Sequence, residues 1–237
     1  MSNRQARHSL FPAAVLWDMD GTLIDSDGLW LAAERAVYRE SIAERSGAAV
    51  PELSAVAERA LEGASLPECA RVLKAEGVTL PQEAIIERLV STVEHELVAG
   101  GGIPWAAGAV ALLMSLVEVG IPSVLVTGTP MRVARHVLEA VPPGSFAGAI
   151  TGDSSLPAKP APDRYRAAAD MADANIKDCL VFEDSGTGIR AGLAAGATVV
   201  AVTDLARIPA PEDSRYRRIA NFLGLDAAKL AQLRKCW

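Results

Sequence analysis

Two acidic residues close the first apolar run of the chain, and their spacing suits paired carboxylate chemistry. Residues 15–17 are apolar, Asp18 and Asp20 follow directly, and Gly21 comes next. Gly21 permits a turn that a residue with a Cβ atom resists. Two carboxylates at positions i and i+2 around a turn can serve as a nucleophile or metal ligand and as a proton donor or acceptor. A solvated acidic turn is the alternative interpretation, and this segment alone leaves both open.

A second polar cluster follows the apolar run 124–126 and consists of Thr127, Gly128 and Thr129. A hydroxyl group, a flexible backbone and main-chain N–H groups before a helix are typical of a cradle for phosphate oxygens. The alternative is an ordinary threonine N-cap before Pro130.

A single lysine, Lys159, stands just before two prolines, Pro160 and Pro162. Because proline restricts the backbone, the Lys159 ammonium group can be held at one fixed point, which is useful where it must face an anion. Pro162 also suits the first turn of a helix. The alternative is a solvated surface lysine.

Two adjacent acids, Glu183 and Asp184, end the apolar run 179–182. Their charges repel each other at the end of a buried strand unless a cation lies between them, and Mg²⁺ prefers such hard oxygen ligands. The alternative is a helix start at which acids favour the helix dipole and Ser185 acts as the cap. Each of the four polar segments has such an ordinary explanation alone, but their succession along the chain favours one shared site.

Short apolar runs that alternate with helical segments must position these groups. The runs at 14–18, 123–127, 147–151, 179–183 and 198–202 predict five strands, and helices are predicted over 109–119, 131–140, 162–171 and 186–195. This alternation predicts an α/β fold with a doubly wound, mostly parallel sheet and a Rossmann-like core. Ligands of such sheets bind at the carboxyl ends of the strands, so the polar segments should meet at one edge. From residue 207 onward we predict a surface loop and a short terminal helix near 226–235.

In the segment between the first two predicted strands, apolar residues recur at helical spacing and no convincing strand is found. Ser65 begins a capping-box pattern for a helix that reaches residue 75, and Pro81 begins another helix. Hinge-like segments at 24–28 and 100–104 flank this block. We therefore predict an α/β core domain of residues 1–25 and 99–237 and an inserted helical cap domain of residues 26–98, which can move as a lid.

Composition excludes several classes of function. The 237 residues carry 23 basic and 29 acidic side chains, with a net charge of −6 and no basic block, so a nucleic-acid partner is not expected. No apolar run reaches the length of a membrane span, and residues 1–12 predict a loose lead-in without a secretory signal. Three widely spaced cysteines argue against a disulfide framework and for a reducing cytoplasm.

Taken together and in this order, the segment 18–22, Thr127, Lys159 and the pair Glu183-Asp184 closely resemble the haloacid dehalogenase superfamily, and the resemblance spans about residues 13–202. The helical insertion is similar to the small cap of the branch that contains β-phosphoglucomutases and sugar phosphatases. The resemblance implies a sheet with the first strand in the middle, flanked by the second and the fourth. It also implies a monomer that acts on a small phosphorylated metabolite.

The family roles carry over to matching positions. Asp18 would be the nucleophile that forms an aspartyl-phosphate, and Asp20 would protonate the leaving oxygen and then activate water. Thr127 and Lys159 would hold phosphoryl oxygens, and the implied phosphate-binding set is Asp18, Met19, Asp20, Thr127, Gly128 and Lys159. Mg²⁺ would be bound by Asp18, the main-chain carbonyl of Asp20, Asp184 and, directly or through water, Glu183.

Three functions remain open: a Mg²⁺-dependent phosphatase, a β-phosphoglucomutase-like mutase, and a catalytically silent binding protein on the same fold. Mutases of this branch typically have histidine where Trp30 stands and a Ser-Arg pair where the segment 63–66 lies, so hydrolysis is favoured. By the same analogy, the loop 62–65 should face the substrate. The tryptophans near the two hinges, Trp30 and Trp105, either line the cleft or pack between cap and core.

Overall fold

Six parallel strands form the sheet that carries the predicted polar segments. The computed structural model describes residues 11–46, 51–202 and 211–235, so most of the predicted lead-in and residues 203–210 lie outside it. The strands are β1 Val15–Trp17, β2 Ser123–Val126, β3 Gly148–Ile150, β4 Leu180–Glu183, β5 Thr198–Val202 and β6 Tyr216–Ile219. Their order is β3-β2-β1-β4-β5-β6, and every neighbouring pair is parallel. The predicted α/β fold is confirmed, with β1 between β2 and β4.

Helices cover both faces of the sheet and also form the insertion. They are α1 Asp27–Ser46, α2 Ala55–Leu61, α3 Leu66–Ala75, α4 Gln82–Ala99, α5 Ala109–Val119, α6 Met131–Glu139, α7 Asp163–Met171, α8 Gly186–Ala195 and α9 Ala227–Lys235. Helices α5, α6 and α9 pack on one face, and α7 and α8 pack on the other. Strand β1 therefore sends Trp17 into one core and Leu16 into the other, as a centrally placed, doubly covered strand requires.

Helices α1 to α4 form a block with an apolar cluster of its own. Val37, Leu73 and Leu89 are buried among its side chains, and Val133 of α6 joins the same cluster from the core side. Arg132, also on α6, lies 2.9 Å from Glu87 and 3.5 Å from Glu94 of α4. This packing agrees with the predicted division into residues 26–98 and the rest of the chain, which stays a prediction.

The two connections of the helical block run side by side and form a neck. The main-chain N–H of Asp25 donates to the Pro104 carbonyl at 2.7 Å, and that of Ala106 donates to the Leu23 carbonyl at 3.0 Å. The predicted hinge at 24–28 is shorter than expected because α1 already begins at Asp27. The Ser26 carbonyl accepts the N–H groups of Leu29 and Trp30, which closes the first helical turn there.

Two local predictions were wrong. The segment expected to be a surface loop contains β6, an edge strand that, among the described strands, pairs only with β5. Because Arg217 and Arg218 at its centre are charged, β6 lacks the apolar run by which the other strands were predicted. Charged side chains are nevertheless common on exposed edge strands. Helix α3 begins after Ser65 as predicted, but the Ser65 hydroxyl makes no capping hydrogen bond.

Among the described residues, no helix is both long and apolar enough to cross a lipid bilayer.

Candidate active site

Lys159 and Asp18 form the centre of the site, at the carboxyl end of β1. The Asp18 N–H donates to the Phe182 carbonyl at 3.0 Å, so the main chain of Asp18 still pairs with β4. Lys159 Nζ donates to Asp18 Oδ1 at 2.5 Å, to Glu183 Oε1 at 2.6 Å and to the Val126 carbonyl at 3.0 Å. One ammonium group thus joins the ends of β1, β2 and β4, which agrees with the prediction that it faces anions.

Glu183 is fully buried and accepts hydrogen bonds on both carboxylate oxygens. Oε1 accepts from Lys159 at 2.6 Å and from the Tyr165 hydroxyl at 2.5 Å. Oε2 accepts from the Ser185 hydroxyl at 3.0 Å and the Ser185 N–H at 3.3 Å. Ser185 also caps α8, as the alternative interpretation held, by accepting the Gly188 N–H at 3.0 Å. The cap and the site therefore coexist in one turn.

Three carboxylates gather closely enough to share a cation. One oxygen each from Asp18, Glu183 and Asp184 lies within 4.8 Å of the others. The Thr22 hydroxyl donates to Asp184 Oδ1 at 2.9 Å, whereas a Cβ atom on Gly21, at φ +75°, would lie 2.3 Å from Asp184 Oδ2. Hard oxygen donors held this close, with the backbone pressed against one of them, fit Mg²⁺.

The electrostatics of the cluster agree with that fit. Burial, with the neighbouring charge of Glu183, raises the pKa of Asp18 to about 7, although Lys159 opposes the rise. Burial and the charges of Asp18 and Glu183 also raise the pKa of Asp184 well above its usual range. Burial by itself lowers the pKa of the Lys159 ammonium, but the two carboxylates beside it outweigh this and raise it. The cluster holds more negative charge than one lysine balances, and a divalent cation would restore the balance.

The loop after β2 has the form expected of a phosphate cradle. The Thr127 N–H donates to the Ile150 carbonyl at 2.9 Å, and the Thr127 hydroxyl accepts the Thr129 N–H at 2.9 Å. Gly128 between them is exposed. The alternative threonine N-cap is wrong, because Pro130 is the N-cap of α6 and the Met131 N–H donates to Asp153 instead, at 2.6 Å. The Thr127 hydroxyl therefore does not cap α6.

Within the part of the chain that the structure describes, Asp20 accepts four side-chain hydrogen bonds. Oδ1 accepts from Ser26 Oγ and Trp30 Nε1, both at 2.8 Å. Oδ2 accepts from Thr129 Oγ1 at 2.7 Å and from Thr127 Oγ1 at 3.3 Å. The second carboxylate of the pair is thus held apart from the Asp18–Lys159 contact by its own set of donors.

The structure brings together Asp18, Asp20, Thr127, Lys159, Glu183 and Asp184, with Gly128 beside them. Met19 differs, because its side chain is fully buried in the apolar core and only its main chain can face a ligand. The loop 62–65 lies near the site, since a Cβ atom on Gly63 would be 3.6 Å from Ser185 Cβ, and its contact with substrate stays a prediction.

Sequence reasoning missed several supporting residues. Tyr165 holds Glu183 from α7, and nothing in its surrounding sequence distinguishes it from a core tyrosine. Thr129 belongs to the quoted polar cluster, but its bond to Asp20 was not foreseen. Trp30 was singled out for its position near the hinge, yet neither interpretation of it included a hydrogen bond to Asp20.

Comparisons with known proteins give a consistent result. A family model described as haloacid dehalogenase-like hydrolase matches residues 12–196. The chain is similar to hexitol phosphatase A of Escherichia coli (strain K12), at 35% identity over 82% of this chain and 84% of that one. It is also similar to phosphoglycolate phosphatase of Rhodospirillum rubrum, at 29% identity over 81% and 80%. The crystal structure of CbbY from Rhodobacter sphaeroides in complex with phosphate superimposes with a TM-score of 0.76, at 24% identity over 92% of this chain and 99% of that one.

Proposed function

The chain belongs to the haloacid dehalogenase-like hydrolase family and is a phosphoric monoester hydrolase, and from this premise we propose that it is a Mg²⁺-dependent phosphatase. Its substrate is a small phosphomonoester of the sugar-phosphate or hexitol-phosphate type, cleaved through an aspartyl-phosphate on Asp18. The single observation that supports this most is the Lys159 ammonium group, which contacts both Asp18 and Glu183 beside Asp184.

The acidic cluster would hold the metal. Asp18, Asp184 and the main-chain carbonyl of Asp20 would bind Mg²⁺, which supplies the positive charge that lets an anionic carboxylate approach an anionic phosphate. Glu183 was also expected to assist, directly or through water. Because Lys159, Tyr165 and Ser185 already occupy its oxygens, we assign it to holding Lys159 rather than to direct ligation.

The remaining residues bind and orient the phosphoryl group. Lys159 and the Thr127 hydroxyl donate to its oxygens, together with the main-chain N–H of the exposed Gly128, so that its charge is neutralised where Asp18 attacks. Asp20 stands beside this cradle, bonded to Thr127 and Thr129, and handles the proton of the leaving alcohol and of the attacking water.

The experiment is a phosphate-release screen of sugar phosphates, hexitol phosphates and phosphoglycolate, with Mg²⁺ and with EDTA. We expect release that requires Mg²⁺ and that falls by about a thousandfold or more in Asp18→Asn, because the nucleophile is lost. Asp25→Asn is the matched control: this aspartate is exposed at the neck and keeps near wild-type turnover. Near wild-type turnover in Asp18→Asn would contradict the assignment of the nucleophile.

The same screen separates the other functions. A mutase would convert a hexose 1-phosphate to the 6-phosphate without releasing phosphate, and a silent binding protein would turn over none of the esters. A monomeric, cytoplasmic enzyme without nucleic-acid or membrane partners stays a prediction from the composition and the resemblance.

A further inference from the structure

The two oxygens of Asp20 are held by different parts of the molecule. Oδ1 accepts its hydrogen bonds from Ser26 and Trp30, at the start of α1 and hence on the helical block. Oδ2 accepts from Thr127 and Thr129, in the loop after β2 of the sheet. The carboxylate therefore bridges the helical block and the sheet through one oxygen each.

Trp30 belongs firmly to the helical block. Its ring packs against the block's apolar cluster, and its main-chain N–H donates to the Ser26 carbonyl at 3.1 Å, within the first turn of α1. The indole Nε1 and the fully buried Ser26 hydroxyl thus both lie at the start of α1. Neither donor to Asp20 Oδ1 comes from the sheet.

A proton transfer by Asp20 needs a free position on its carboxyl group. A carboxylate offers about four lone-pair positions, and the four donors occupy all of them. The bond from Thr127 is the longest at 3.3 Å, against 2.7–2.8 Å for the others. Thr127 is also the residue whose hydroxyl would turn to a phosphoryl oxygen when substrate binds, which frees Oδ2.

We propose that Trp30, with Ser26, is a positioning residue for the acid–base step: it holds Oδ1 of Asp20 so that Oδ2 faces the leaving oxygen and carries the proton. This inference rests on the proposed phosphatase activity. It assigns the orientation of Asp20 to one side chain of the helical block.

Asp20 Oδ2 carries the proton in both chemical steps. An Asp18 oxygen bonds to phosphorus as the bond from phosphorus to the alcohol oxygen breaks, and the proton on Asp20 Oδ2 passes to that oxygen. Water then attacks the phosphorus of the aspartyl-phosphate, gives a proton to Asp20 Oδ2, and releases phosphate and the Asp18 carboxylate. Trp30 exchanges no proton in either step and acts only through the orientation of Asp20.

The test compares two leaving groups in Trp30→Phe, which keeps an aromatic ring but loses the N–H donor. Sorbitol 6-phosphate needs a proton on its departing alkoxide, whereas 4-nitrophenyl phosphate releases a weak base that does not. Because kcat/KM reports steps up to the first departure, we expect it to fall about tenfold or more for the alkyl ester and by about threefold or less for the aryl ester.

Trp105→Phe is the matched control, because Trp105 lies at the other side of the neck and, among the hydrogen bonds of the described residues, gives none to Asp20. It should leave the ratio of the two kcat/KM values unchanged. Equal losses for both esters, or none, in Trp30→Phe would overturn the inference while the proposed function stands. A wild-type protein that releases phosphate from no ester of the screen, 4-nitrophenyl phosphate included, overturns the proposed function itself.

Two further measurements guard against a folding defect. Ser26→Ala removes the other Oδ1 donor without touching the ring, and it should shift the alkyl-to-aryl ratio in the same direction. In ¹H–¹⁵N spectra, Asp20→Ala should move the indole resonance of Trp30 but not that of Trp17, whose indole donates to Ser123 at 3.1 Å. An unmoved Trp30 resonance would show that the hydrogen bond is absent in solution and would refute the proposal.

Discussion

Glu34 should make the stability of the protein depend on pH, and Glu34→Gln should remove that dependence. The residue lies in α1 inside the helical block, with 4% of its surface exposed. Burial raises its pKa from 4.5 to about 7, and a hydrogen bond with Cys69 offsets only part of the effect. Between these two values the folded protein holds a proton that the unfolded chain releases. The free energy of unfolding therefore decreases as pH rises through this window, and the loss is complete above about pH 7.

The size of the effect follows from the same two pKa values. Their difference corresponds to a penalty of about 3 kcal/mol for the ionised carboxylate, at about 1.4 kcal/mol per pH unit. Glutamine has nearly the same shape and never ionises. We therefore expect Glu34→Gln to raise the free energy of unfolding at pH 8 by up to about 3 kcal/mol, which is roughly 6–12 °C in Tm for a chain of this size, with little change below pH 4.5.

The assay is urea unfolding of both proteins at several pH values between 4.5 and 8.5. Glu40→Gln, on the same helix, is the control, because Glu40 is exposed and lies 3.8 Å from Arg88 in a pair worth less than about 1 kcal/mol. A stability difference between Glu34→Gln and wild type that stays constant across this range would refute the assignment of an ionising buried carboxyl at Glu34.

Three other substitutions test the site and its surroundings. Gly188→Ala should lower activity about tenfold or more, because its Cβ would lie 1.8 Å from Glu183 Oε1, whereas Gly186→Ala meets nothing nearer than 3.5 Å and should leave kcat unchanged. Tyr165→Phe should cost about 1–3 kcal/mol in thermal unfolding, because a buried charged acceptor loses its donor; an unchanged Tm would argue against that bond. Arg132→Ala should destabilise the protein by about 1 kcal/mol or less at low salt and by nothing measurable at 1 M salt, as expected of its partly exposed pairs.

The parts of the fold that sequence reasoning found are those in which one local signal is enough. Strand β4 combines an apolar run with an abrupt acidic end at Glu183, and α5 and α8 have the predicted bounds 109–119 and 186–195. Because all these strands are parallel, the residues after them share one edge, and the site follows from the fold class. Strand β6 lacked such a signal, since Arg217 and Arg218 conceal a strand that only pairing with β5 reveals.

The supporting hydrogen bonds could not be predicted from the sequence, because most of them join residues that are far apart along the chain. Tyr165 meets Glu183 across 18 positions of the chain, and Lys159 meets Asp18 across 141, so only the folded sheet brings each pair together. A matching family motif identified Lys159, but no motif covers Tyr165. Trp30 lies only 10 positions from Asp20, yet the direction of its indole depends on how α1 leaves the neck.

The neck at Leu23–Asp25 and Pro104–Ala106 bears on how such a protein can diversify. Main-chain hydrogen bonds join the two connections side by side. The distance between the two points at which the chain leaves and re-enters the sheet domain therefore does not depend on how many residues lie between them. Evolution can therefore exchange the intervening helices for others and alter which alcohol is accepted, while Asp18, Lys159 and Asp184 keep their places at the edge of the sheet. The exception is the Trp30 indole, a donor to Asp20 that comes from these helices themselves.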